Sequence, residues 1–290
     1  MRLDIDGRNC ELESGRSILD AVKKEGLDSI MLSDRPLAAQ IGGEVFNLRF
    51  TPKKDTQIHL LRYGEDMGRR VYERTLQFLL ILAMRKEFPR ARVCVRYSLG
   101  PGLFITVDGM EEPFNEEAAL KVETEMRRLV RLKLPLERRR ISIKEALSFY
   151  EQDGQADKAK LLKWRRFSYF DVYQIDGYMD YFYGEMAPDT SYADVFRVKY
   201  VHDGAVVLLM PRNDAPDVPS DYIDLPKLHA VFHQSDEWGK LMECATVNDL
   251  NTHIQNGTIR ELVRINEALH DRGYADIADK IVQKGAKAVL

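Results

Sequence analysis

The chain has 290 residues, a hydrophobic fraction of 44%, a charged fraction of 31% and a net charge of −3. That balance is ordinary for a soluble globular protein with core material for about two domains. It leaves any nucleic-acid or membrane partner to be argued from local patches rather than from total charge. Cys10, Cys94 and Cys244 are odd in number and form no CxxC pair, which fits a reducing compartment. The N-terminus MRLDIDGRNC lacks an apolar signal core, and the longest apolar run, Phe78 to Met84, is too short to span a bilayer. A soluble, cytoplasmic protein is therefore expected.

MRLDIDGRNCELE reads as two strands around an Asp6-Gly7 turn. Ile18, Leu19, Val22 and Leu27 then share a helix face, opened by Ser14 or Ser17 and stopped near Gly26. LAAQIGGEVFNLRF predicts two strands around Gly42-Gly43, and QIHLLR a last one. On the DG hairpin, the SILDAVK helix start and the LAAQIGGEVFNL segment, residues 1–62 resemble the TGS domain, a β-grasp module.

Tyr63 to Arg70 reads as a short polar joint, and residues 71–90 as a helix ending at Phe88-Pro89. ARVCVRYSLGPGLFITVDG predicts strand, glycine turn, strand. Residues 115–134 predict a helix, with Asn115 as N-cap, acids early and bases late to suit the macrodipole. ISIKEALSFYEQDG and QADKAKLLKWRR add two shorter helices, and strands follow near FDVYQID, DVFRVKYVHDG and AVVLLMPR. FLLILAMRKEFP, the FNEE helix start, LPLERRRISIKEALSFY and DYFYGEMAPDT occur in the order found in threonyl-tRNA synthetases. From about residue 71 to 213 the chain resembles their second additional domain, an α+β editing unit.

In that family the first half of a metal site reads HxxxH and the second CxxxH. On the resemblance, those positions hold Arg74 and Phe78 in VYERTLQFLLILAMRKEFP, and Phe182 and Met186 in GYMDYFYGEMAPDT. Zinc requires thiolate, neutral imidazole or carboxylate. Arg is always protonated, Phe has no donor, and Met offers a weak thioether. A vestigial pocket without metal is therefore expected, and no cofactor in this chain. The plainer alternative is core packing, with Phe78 beside Leu79, Leu80 and Leu82, and the aromatics around Phe182 filling a sheet-on-helix core rather than stacking bases. Asp180 and Glu185 lie nearby, but two carboxylates alone specify no acid–base chemistry.

DAPDVPSDYIDL (214–225) reads as a linker, and 226–286 as largely helical, with short helices punctuated at Gly239 and Gly257. The segment WGKLMECATVNDLNTHIQNGTIRELVRINEALH, after the two preceding modules, resembles the amino-terminal half of bacterial uridine-kinase-like proteins. In that family the next strand enters a P-loop. Here AKAVL begins an apolar strand and no GxxxxGK[ST] is present. Either the chain is truncated or it is a natural protein lacking the kinase half; truncation is expected, with ATP and magnesium belonging to the absent kinase domain.

The run RRLVRLKLPLERRR supplies candidate nucleic-acid or phosphate contacts: Arg127, Arg128, Arg131, Lys133, Arg138, Arg139 and Arg140. The alternative is a solvated helix face pairing with Glu116, Glu117, Glu123 and Glu125. SLGPGLF (Ser98 to Phe104) offers a phosphate cradle or, more simply, a tight turn between strands. His229 and His233 form an HxxxH without the Glu of HExxH or an obvious third ligand. His59, His202, His253 and His270 are scattered, with no nucleophile beside them.

The expected fold is α+β in three parts: a TGS-like β-grasp domain (1–62), an editing-like domain without metal ligands (71–213), and a helical segment (226–290) leading to a kinase domain. The expected function is a non-catalytic accessory region of a nucleoside kinase. It would bind RNA such as tRNA, a nucleotide, or the kinase domain in cis, with no membrane partner. A metal-independent aminoacyl-tRNA editing hydrolase is the alternative.

Overall fold

The Asp6-Gly7 turn closes as expected, with both residues at positive φ, between β1 (Arg2–Ile5) and β2 (Arg8–Glu11). The computed structural model describes residues 1–202 and 204–287. Ser17, not Ser14, caps α1 (Ile18–Lys24) in a full capping box with Asp20. β3 (Ala38–Ile41), β4 (Glu44–Phe46) and β5 (Thr56–Leu61) complete a five-stranded sheet in the order β2-β1-β5-β3-β4. The β1–β5 pair is parallel and its neighbours antiparallel. Parallel strands need a crossover, and the helix-containing stretch between them supplies it. α1 places Ile18 and Val22 against Leu3, Ile5, Ile58 and Leu60, all at most 1% exposed. Burying each such side chain contributes about 1.5–3 kcal/mol before chain entropy is set against it.

α2 (Asp66–Glu87) begins inside the segment read as a joint. Gly68 is helical, and it is glycine for a packing reason: a side chain on it would put its first carbon 2.0 Å from the Arg62 carbonyl oxygen. β6 (Arg92–Leu99) and β7 (Gly102–Asp108) form the predicted hairpin. Ser98 to Phe104 is thus a strand-to-strand turn. Gly100 supplies its positive φ, while Gly102 admits Val207 and the Leu208 carbonyl to close approach.

α3 (Glu116–Leu132) starts on Asn115, whose side chain accepts from the Ala118 amide, and ends at Lys133 in the left-handed region. β8 (Glu137–Ser142) follows. The basic run is therefore not one helix face: it leaves the helix at Lys133 and resumes on a strand. α4 (Ile143–Gln152) and α5 (Ala156–Leu162) are the two short helices expected. β9 (Tyr169–Ile175) and β10 (Tyr178–Asp180) join β8 in a three-stranded sheet ordered β10-β9-β8. β11 (Arg197–His202) and β12 (Ala205–Leu209) extend the hairpin into an antiparallel sheet ordered β11-β12-β7-β6.

β13 (Pro211–Arg212) pairs with β14 (Ala215–Pro219), so the stretch read as a linker contains a strand. Its prolines sit where a two-stranded ribbon can spare the missing donors. α6 (Pro226–Leu241) runs through Gly239 rather than stopping there. α7 (Val247–Asn256) ends on Gly257 at φ +77°, and α8 (Ile259–Lys284) follows. The apolar end of AKAVL, Ala288 to Leu290, lies outside the described residues.

The fold is α+β with several antiparallel sheets. Contacts gather the chain into two compact units: residues 1–140 with 171–225, and residues 141–170 with those from Pro226 onward. No helix among the described residues is long and apolar enough to cross a membrane.

Candidate functional site

Arg74 and Phe78 lie one turn apart on α2, and Phe182 and Met186 follow β10. The first unit brings all four to one neighbourhood. Arg74 Nε donates to the Glu185 carbonyl at 2.9 Å. Gly184, at φ +111°, packs flat on its guanidinium, where a side chain would come within 2.9 Å of Cζ. Burial lowers the Arg74 pKa below the usual guanidinium range, opposed by Tyr173, Glu73 and Glu185.

Phe78 is fully buried, stacked on Tyr178 with centroids 5.9 Å apart and edge-on to Phe182 at 5.7 Å. Met186 is fully buried and Phe182 half-buried. Arg85 lies over the Tyr178 ring, 4.5 Å from its centre. Offset and edge-on aromatic contacts of this kind favour close packing. What stands at these four positions is an aromatic core with one cation on its rim.

The segment carrying Met186 is pinned by polar groups that the sequence did not mark. Thr75, 1% exposed, accepts from the Ala187 amide at 2.9 Å and donates to the Val71 carbonyl at 2.7 Å. The Tyr173 hydroxyl accepts from the Met186 amide at 3.1 Å and donates to Glu185 Oε2 at 3.0 Å. Burial, and then Glu185, push that phenol far above its ordinary pKa. From the small sheet module, Asn47 donates to the Met186 carbonyl at 2.9 Å and Arg49 to the Pro188 carbonyl at 2.8 Å. Thr75, Asn47 and Arg49 lie more than a hundred residues from the segment they pin. Only Tyr173 had a local signal, the run of aromatics around it.

Asp180, 2% exposed, takes the Tyr178 hydroxyl at 2.9 Å. Glu185 is held by Arg138, which also pairs with Asp171 at 2.9 Å. The two acids are thus engaged structurally, in different directions.

The basic run separates into paired and open members. Arg127 and Arg128 bond Glu123 and Glu125 at 2.7 and 2.6 Å, two of the partners weighed in the helix-face reading. On β8, Arg138 and Arg140 share Asp171, whose carboxyl is held low by Arg140, with burial opposing and Arg138 adding. Arg139 donates to the neutral Gln174 amide oxygen. Arg131 and Lys133 are exposed at the end of α3.

His229 and His233 face each other on α6 with ring centroids 6.4 Å apart. Among the described residues no group of three or more His, Cys, Asp or Glu side chains is arranged to hold a metal ion. His253 bonds Thr258 at 2.8 Å, His270 meets Trp238 edge-on, and His202 lies beside Phe104. His59 bridges Asp6 at 2.8 Å and Glu65 at 2.6 Å. Cys10 is buried, Cys94 exposed and Cys244 intermediate; all three are free thiols.

No known protein-family model matches the chain. It is similar to the threonine–tRNA ligase of Clostridium kluyveri, 25% identical over 194 residues, covering 67% of this chain and 30% of the relative. The threonine–tRNA ligase of Acetivibrio thermocellus is 29% identical over 160 residues, covering 54% of this chain and 24% of that protein. That of Carboxydothermus hydrogenoformans is 27% identical over 175 residues, covering 58% and 26%. The matched part is thus under a third of each relative's length.

Proposed function

We propose that this chain is a non-catalytic accessory region related to part of threonine–tRNA ligase, that it binds tRNA or another RNA, and that it serves a nucleoside kinase domain in cis. Its parts would be a TGS-like β-grasp domain over 1–62, an editing-like domain without metal over 71–213, and a helical segment over 226–290. The observation that carries the reading is the filling of the four metal-ligand positions. Phe78 and Met186 are fully buried, and Arg74 spends its Nε–H on a backbone carbonyl. A dication in that place would meet a guanidinium and aromatic carbons. The similarity to threonine–tRNA ligases supports RNA as the partner class. The exposed cations Arg131, Lys133 and Arg139 are the groups best placed for phosphates. The kinase part rests on the resemblance of residues 238–270 to uridine-kinase-like proteins.

Titrating tRNA against the full chain at two salt concentrations tests the binding. Saturable binding that weakens steeply with salt is expected, and absence of saturation removes RNA from the reading. Mischarged tRNA incubated with the chain, with and without chelator, is expected to deacylate no faster than in buffer. Faster hydrolysis would replace the accessory role with an editing enzyme. A uridine and ATP assay on this polypeptide should be blank, for want of a P-loop. The reading frame beyond Leu290 tests the kinase itself: a strand leading into GxxxxGK[ST] is expected, and a stop codon removes it.

A further inference from the structure

Beside the packed aromatic core lies an open cleft of about 460 Å³, lined by Phe46, Arg49 and Phe50 together with Glu137, Arg138 and Arg139. All of these belong to the first unit. The volume is in the range of small-molecule sites. Phe46 and Phe50 are paired, with centroids 4.5 Å apart and planes at 36°, and Phe50 is 38% exposed. The turn that carries them is rigid. The Phe50 amide donates to the Asn47 carbonyl, and the carbonyls of Leu48 and Phe50 accept from Leu19 and Ile18 at the start of α1. Arg49 is anchored by its Nε bond to Pro188 and lies 3.4 Å from Asp189, with 45% of its side chain exposed. Arg138 is neutralised by Asp171 and Glu185, whereas Arg139 is exposed and bonded to a neutral amide.

We propose that this cleft binds a nucleoside phosphate, with the base stacked on Phe50 and the phosphate met by Arg139 and Arg49. A half-exposed ring on a fixed turn offers a flat apolar surface at little ordering cost. A guanidinium without a carboxylate partner offers a fork that matches phosphate oxygens. Both residues line one cleft, so a ligand with both an aromatic ring and a phosphate makes the fullest use of it. A free nucleotide and an unpaired nucleotide within an RNA share that chemistry. The second source rests on the RNA-binding reading above; the first does not.

Calorimetric titration of the full chain with adenosine 5′-monophosphate, adenosine, inorganic phosphate and a short single-stranded oligoadenylate tests the assignment. The monophosphate is expected to bind at least about tenfold more tightly than adenosine or phosphate alone. Phe50→Ala and Arg139→Ala should each weaken it about tenfold without moving the melting temperature. Glu137→Gln should tighten it by removing a like charge from the same rim. Binding of neither monophosphate nor oligonucleotide, or binding indifferent to both Phe50→Ala and Arg139→Ala, overturns the proposal. Tighter oligonucleotide than mononucleotide binding assigns the RNA source; the reverse assigns the free nucleotide. If the double variant binds tRNA like the parent, the RNA source is refuted while RNA binding elsewhere on the chain stands. If the monophosphate binds and tRNA does not, the cleft stands alone.

Discussion

Residues 1–140 with 171–225 enclose a large apolar core, whereas α6, α7 and α8 bury no residue. α2 alone buries eleven residues, including Tyr72, Phe78 and Leu80. Not one residue of the three C-terminal helices is buried, and Leu241, Tyr274 and Val282 are 77%, 67% and 80% exposed. An isolated helix in water is marginal, because its backbone bonds barely offset the ordering of the chain. Tertiary packing is what makes most helices persist. The first unit therefore holds its elements by burial, and α8 relies on its own hydrogen bonds, on Gly285 at its C-cap and on open contacts such as His270 against Trp238 of α6. Stability in this molecule is local property rather than a single number.

The sharpest way to break this contrast is hydrogen exchange followed along the chain. Mid-helix amides of α2 should exchange about a thousandfold or more slowly than those of α8, because α2 opens only when its unit unfolds. Equal protection in the two helices would mean that α8 is covered by something in solution. Limited proteolysis should likewise cut first beyond Pro226.

The next test compares side-chain deletions. Phe78→Ala removes a fully buried ring packed on Tyr178 and Phe182, and should cost about 3–5 kcal/mol in urea unfolding of the first unit. Ile277→Ala on α8, half of whose side-chain surface is already open, should cost within about 0.5 kcal/mol. Comparable losses at the two sites would sink the idea that α8 gains little from burial.

Chain order and local chemistry were legible where the signal is short-range. Asn115 with its following acids marked α3, Asp6-Gly7 marked the first hairpin, and Gly257 marked the end of α7. The misreadings share one cause. The start of α2 read as a polar joint because the reason for Gly68, the approach of Arg62, is invisible in a string of residues. β8 looked like part of a basic helix because its three arginines find Asp171 and Gln174 only after β9 has folded beside them. β14 was hidden by its prolines. The resemblance singled out Arg74, Phe78, Phe182 and Met186, and the fold brings them to one neighbourhood. The Phe46–Phe50 cleft was not, since its walls come from segments about ninety residues apart.

Within the well-packed unit, a polar deletion should fall between the two extremes. Thr75→Val keeps the shape of the side chain but strands the Ala187 amide, which has a buried hydroxyl as its acceptor. A buried donor left without a partner costs about 1–3 kcal/mol. Urea midpoints of the variant should show that loss with an unchanged slope. A cost under half of the lower figure would show that water reaches the segment around Met186, and that the site is less closed than its packing indicates.

The smallest effect belongs to the surface of the same unit, where His59 links Asp6 and Glu65 and Arg62 pairs with Asp6 at 3.2 Å. The Glu65 and then the Asp6 hydrogen bonds raise the His59 pKa above its ordinary 6.5. For Asp6, burial pushes upward, but the Leu60 amide, His59 and Arg62 outweigh it and hold the carboxyl below its ordinary 3.8. A raised histidine stabilises the fold fully below pH 6.5 and loses that contribution as pH climbs through its folded value. A lowered carboxylate stabilises above pH 3.8 and loses its share as pH falls through its folded value. Both act together between those limits. Half of the His59 side chain is in water, so the link is worth at most about 1 kcal/mol. The stability gap between the protein and His59→Gln should therefore be present at pH 5.5 and shrink toward pH 8.5. A gap that stays constant across that interval would remove the charged histidine from the link. One several times larger would show that the surface of the first unit contributes on the scale of its core.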